Sequence, residues 1–106
     1  MKKFALLTVF AVSSFAANWT GVIVDEGCGL KHADGKGAGC VKGCITKKGQ
    51  APVLTVDGKV HKIANPDALK KDGNWNEAVL GIPVKVSGKM AKDGTVTIKK
   101  VAPSAS

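Results

Sequence analysis

Val53-Leu54-Thr55-Val56-Asp57-Gly58-Lys59-Val60-His61-Lys62-Ile63 is the stretch that decides the fold class. Pro52 opens the run and β-branched residues fill it. Asp57-Gly58 is a two-residue sequence suited to the positive φ angles that a tight hairpin turn demands. Such a turn fixes the register, so Leu54 lies opposite His61, and Leu54, Val56, His61 and Ile63 share one face. That face is the candidate core face. It makes His61 a packed, hydrogen-bonded histidine rather than a ligand.

A second hairpin lies downstream. Pro83 opens the alternating run Val84 to Met90, and Asp93-Gly94 turns it into Thr95 to Val101. Strict pairing would put Val96 and Ile98 opposite Ala91 and Lys89, out of phase with Val84 and Val86, and a bulge at Gly88 absorbs that slip. Upstream, Trp19 to Asp25 reads as a first strand. Between the hairpins, Asn65-Pro66-Asp67 is a helix start with cap, proline and an acid at the positive end. Ala68 to Lys71 continue that helix and Gly73 ends it. From Asn74 to Gly81 the residues Trp75, Val79 and Leu80 are helically spaced, which predicts one more irregular turn over a barrel end. The expected fold is mainly β: a small five-stranded OB-like barrel, with a cysteine-bearing helix inserted after strand 1 and a short helix between strands 3 and 4. Another small five-stranded barrel or roll is the alternative.

The inserted segment, residues 27–49, holds all three cysteines and one of the two histidines. Five glycines between Gly27 and Gly39 make its first part a loop, with Gly35, Gly37 and Gly39 read as flexible linker. Ala38 to Lys48 has helical spacing, with Cys40, Val41, Cys44 and Ile45 on one expected buried face and Gly49 as the left-handed closing residue.

Met1-Lys2-Lys3, the apolar run Phe4 to Val12 and the small residues before Ala17 have the layout of a secretory signal peptide over residues 1–16. The apolar run falls short of the ~20 residues of a membrane span. A single domain over residues 17–106 is expected, periplasmic or secreted, without a membrane span. Sixteen of its twenty aliphatic residues are β-branched, which favours strands. Asn18-Trp19-Thr20 matches a glycosylation sequon but sits at the expected mature terminus of a chain whose signal looks bacterial.

Taking Lys2 and Lys3 from the 16 basic residues leaves 14 lysines against 8 acids, a formal +6. The chain has no arginine, the residue suited to bidentate phosphate and guanine contacts, and two tryptophans are the only aromatics after residue 16. Both facts argue against nucleic acid as the partner and leave the lysines as solvated surface charge. The partner is otherwise open.

From Trp19-Thr20-Gly21-Val22-Ile23-Val24-Asp25 through Cys28-Gly29 the chain resembles a group of small secreted bacterial proteins that open with W-T-G-x-I-x-D-x-x-C-G. These carry a following His, two further Cys four apart, and a strand pair with D-G-K-V-x-K-I. Here His32, Cys40, Cys44 and Asp57 to Ile63 stand at the matching places. The resemblance implies export and a similar β-fold, and brings no activity with it. Related chains tend to have Tyr at the place of His61, which implies that His61 has no obligatory role.

Cys28-x3-His32-x7-Cys40-x3-Cys44 offers three soft ligands and one borderline ligand, a set that can complete a tetrahedral zinc site or hold copper. The competing reading is a structural disulfide in an oxidising compartment, Cys28 bonding Cys40 or Cys44, since Cys40 to Cys44 within one helical turn is geometrically awkward. That pairing makes the chain a stapled OB-like interaction module without metal or catalysis, and leaves one thiol over. A thiol redox protein is a third reading, without the C-x-x-C of thioredoxin-type exchangers. Asp25, Glu26 and Asp34 lie near the cysteines in sequence. No Ser–His–acid trio or phosphate-cradling loop can be placed, so no enzyme class is indicated.

Overall fold

The computed structural model describes residues 17–104; residues 1–16, the expected signal peptide, lie outside the described residues. The fold is mainly β, with one α-helix. β1 (Ala17–Asp25) is followed by a 3-10 turn (Gly29–His32) and α1 (Ala38–Thr46). β2 (Pro52–Val56) and β3 (Lys59–Lys62) form the first hairpin. A 3-10 turn (Pro66–Leu69), the two-residue strands β4 (Lys70–Lys71) and β5 (Asn74–Trp75), and a 3-10 turn (Glu77–Val79) make the connection. β6 (Pro83–Met90) and β7 (Val96–Pro103) complete the fold.

Five strands form one antiparallel sheet in the order β3-β2-β1-β6-β7. The first hairpin has the register its turn dictates: Leu54 pairs with His61, and Asp57 and Gly58 both have positive φ, 50° and 79°. β1 divides its pairing, meeting β6 from Ala17 to Val22 and β2 from Val22 to Asp25. Gly21 stands at that transition, where a Cβ would run into the Thr55 carbonyl. The Thr55 hydroxyl donates to the Val22 carbonyl at 3.0 Å, which satisfies a polar side chain buried between the strands. The bulge expected at Gly88 is present: Ser87 pairs with Lys100 and Gly88 with Ile98. A Cβ there would meet the Thr97 carbonyl, so the bulge needs glycine.

Three expectations are corrected. The sheet is not closed into a barrel. Its edge strands approach through a single parallel bridge, Ile63 to Val96, with the Ala64 N–H donating to the Val96 carbonyl at 2.8 Å. The second helix is also only the turn Pro66–Leu69, because Lys70 and Lys71 turn into a strand. Asp72-Gly73 is itself a two-residue hairpin turn, φ 55° and 84°, pairing Lys70 with Trp75. The Lys70 ammonium then sits 4.8 Å above the Trp75 ring. Asn65 does not cap the turn. Its amide donates to the Ile98 carbonyl at 2.7 Å and accepts from the Ile98 N–H at 2.8 Å.

The core gathers Ile23, Leu54, Leu69, Leu80, Val84, Val86, Val96 and Ile98 with Val41 and Ile45 of α1. β1 is buried at every residue from Val22 to Asp25, with α1 and the turn Gly29–His32 packed against it. That packing brings the cysteine segment to the end of β1. No described helix is long and apolar enough to cross a membrane.

Candidate metal centre

Each side chain of the centre is placed by a different local device. Cys28 follows the end of β1, where its N–H is held at 3.0 Å by Oδ2 of Asp25, and its carbonyl accepts from Lys31 N–H at 3.0 Å to start the turn Gly29–His32. His32 ends that turn, and its carbonyl accepts from Gly35 N–H at 3.2 Å. Gly35, at φ 79°, lies where a Cβ would press on the Pro83 ring, and Gly37 lies where a Cβ would overlap the His32 ring. These two glycines are therefore steric requirements rather than flexible linker, while Gly39 faces open space. Gly37 also begins α1, accepting from Val41 N–H at 3.0 Å. Cys40 sits in the first turn of that helix. Gly81, at φ 78°, lies close against Ala38 and donates its N–H to Ile23 at 2.8 Å, fixing the start of the helix beside β1.

The outcome is a close group: one ligand atom each from Cys28, His32 and Cys40, all within 4.8 Å of one another. Ligand atoms of a tetrahedral zinc site stand about 3.5–3.8 Å apart, from the usual zinc–sulfur and zinc–nitrogen lengths. These three residues lie close enough to hold a metal ion.

Cys44 does not belong to that group. It is buried on the inner face of α1 with Val41 and Ile45, whereas Cys40, expected on the same buried face, is exposed. One helical turn separates them, yet Cys44 packs inward with Val41 and Ile45 while Cys40, in the first turn, stays exposed. No cysteine pair forms a disulfide; all three are free thiols. His61 stands apart, donating Nδ1–H to the Gly94 carbonyl at 2.9 Å and so tying β3 of the first hairpin to the turn of the second.

The neighbouring acids differ in their roles. Glu26 accepts from Ala51 N–H at 3.0 Å and Asp34 from Lys36 N–H at 2.9 Å, both at the surface. Asp25 is fully buried, and its Oδ1 has no hydrogen-bond partner. The Asp25 carboxylate, which attracts the thiol proton, followed by burial and the same carboxylate's charge, pushes the Cys28 thiol above its usual pKa. Burial first, then Asp25, pushes the Cys44 thiol up, with Lys48 opposing weakly. Sequence reading placed Asp25 near the site without a role. The signal was an acid closing an otherwise apolar strand three residues before a cysteine.

The centre is an open surface cluster rather than a cavity. A groove of about 410 Å³ lies on the side of the first hairpin, lined by Glu26, Ala51, Pro52, Val53, Val60, Lys62 and Ile63, and none of the sulfurs or histidines reaches it. Comparison with protein families, characterised proteins and solved structures returns no match.

Proposed function

We propose that this chain is an exported binding domain that holds one transition-metal ion, zinc or copper, through Cys28, His32 and Cys40. The observation that carries the reading is the mutual approach of those three ligand atoms to within 4.8 Å, two from the ends of the turn Gly29–His32 and one from α1. Two sulfurs and an imidazole match the softness of both metals. The fourth position is left to water or to a rearranged Cys44. Metal binding releases the thiol protons, so retention strengthens as pH rises. An OB-like scaffold is supported by the strand order and by the parallel bridge between the two edges. Export, and kinship with the small secreted bacterial proteins, rest on the signal layout and the W-T-G-x-I-x-D-x-x-C-G opening.

Intact-mass measurement, native and denatured, with thiol alkylation tests the reading. The expected result is three alkylatable thiols on unfolding and one metal mass in the native protein, removed by a chelator with loss of stability. His32→Ala then weakens metal retention strongly, while His61→Ala leaves it unchanged. A two-hydrogen mass deficit with one alkylatable thiol and no metal would replace the reading with a disulfide-stapled interaction module.

A further inference from the structure

Asp25 is the feature the ligand set leaves unexplained. Its carboxylate is fully buried, Oδ2 accepts the Cys28 N–H, Oδ1 has no partner, and it joins no ion pair among the described residues. A buried, unbalanced carboxylate is costly, and a cation close by removes that cost. Its Oδ2 accepts the Cys28 N–H at 3.0 Å, which places the carboxylate directly beside the first ligand of the centre. Lys48 is the positive charge felt at Cys44, and it is exposed. Glu26 and Asp34 are exposed and bonded to main-chain N–H groups.

With Cys28 and Cys40 as thiolates, the centre and Asp25 together carry three negative charges. A divalent ion leaves one of them unbalanced and a monovalent ion leaves two. We propose that Asp25 is the specificity-determining residue of this centre, its buried carboxylate favouring a divalent cation of the zinc class over a monovalent thiophilic cation. The proposal rests on the Cys28–His32–Cys40 centre binding metal at all. Asp25 is not itself a ligand, since its oxygens fall outside the mutually close group. It acts through space and by holding the Cys28 main chain. One extra unit of positive charge near a buried carboxylate is worth roughly 10- to 100-fold in affinity.

Zinc(II) and silver(I) affinities, each by competition against a chelator of known strength, test this on the full exported chain. Asp25→Asn keeps the shape and the acceptor for Cys28 N–H while removing the charge. It is expected to move the zinc-to-silver affinity ratio toward silver by roughly 10- to 100-fold. Glu26→Gln, which removes the adjacent exposed charge, is expected to leave the ratio within about twofold. An unchanged ratio in Asp25→Asn, or an equal shift in Glu26→Gln, would overturn the assignment while the metal reading stands. A wild-type chain that binds neither ion overturns both. Should Asp25→Asn not fold, the wild-type ratio in dilute and in about 1 M potassium nitrate decides. A buried charge is little screened, so the ratio is expected to hold within about threefold, and its collapse would assign the selectivity to exposed acids.

Discussion

The His32 ring lies against the bare Cα of Gly37, in space that any side chain at position 37 would occupy. The backbone there has φ −103°, so the constraint is room for the imidazole and not main-chain strain. Gly37→Ala is expected to displace the ring and weaken metal retention by about 10- to 100-fold, as loss of an orienting contact does. The metal-free stability should change by about 1 kcal/mol or less, because only the start of α1 is touched. Metal titration alongside chemical denaturation of the metal-free protein checks both halves.

Cys44 and Cys40 should separate cleanly in substitution. Cys40→Ala removes a member of the close group and is expected to abolish tight metal binding. Cys44→Ala is expected to keep metal affinity within about tenfold while lowering stability by about 1 kcal/mol through a small cavity beside Val41 and Ile45. Equal loss of metal in both variants would make Cys44 a ligand.

Thiol reactivity in the metal-free protein should follow the same division. Cys40 is exposed, while Cys28 and Cys44 have raised pKa values that keep them protonated at neutral pH. Alkylation followed by peptide mapping is expected to label Cys40 first, with Cys28 and Cys44 gaining rate as pH rises.

Asn65 offers a stability test remote from the cysteines. Its amide exchanges two hydrogen bonds with the Ile98 main chain, fastening the connection between the hairpins to β7. Asn65→Ala is expected to cost about 1–3 kcal/mol, because both Ile98 groups lose partners in a partly buried setting. Urea denaturation checks this, and metal affinity should not move.

Asp93 gives a small pH signature. The Thr95 N–H donates to its carboxylate at 2.9 Å and holds its pKa below the ordinary value. A lowered folded-state pKa adds stability that is present above the unfolded value, about 3.9, and is lost as pH falls through the folded one. Asp93→Asn should therefore be slightly less stable than wild type near neutral pH, and the gap should narrow as pH drops below about 4. Urea midpoints of both proteins at the two pH values check the sign.

The hairpins were legible because Asp57-Gly58 and Asp93-Gly94 mark their turns locally, and the Gly88 bulge is present, but the second turn is wider than two residues and sets Val96 opposite Met90 rather than Ala91. Asp72-Gly73 carried the same local signal, but the helix start at Asn65 outweighed it, and Lys70-Lys71 reads equally well as the end of a helix. The centre was legible as a set of residue types. Its geometry was not, because the orientation of α1 on β1 decides which of two cysteines four apart points inward. Tertiary contacts set that orientation, Gly81 against Ala38 among them. The roles of Gly35 and Gly37 were hidden for the same reason, since the Pro83 ring and the His32 imidazole reach them only in the folded chain.

The divided pairing of β1 also orders events in time. Ala17 meets Gly88 and Val22 meets both Pro83 and Thr55, so the strand made first is completed by one made much later. Each hairpin closes locally, whereas bringing β1 to β6 closes a loop of some seventy residues, and such distant pairings are the slow steps of folding. The segment carrying Cys28, His32 and Cys40 hangs from the end of β1, and its helix leans on Gly81 just before β6. A nascent chain thus presents three scattered side chains, and their close approach arises only once residues near 88 have arrived to pin the first strand.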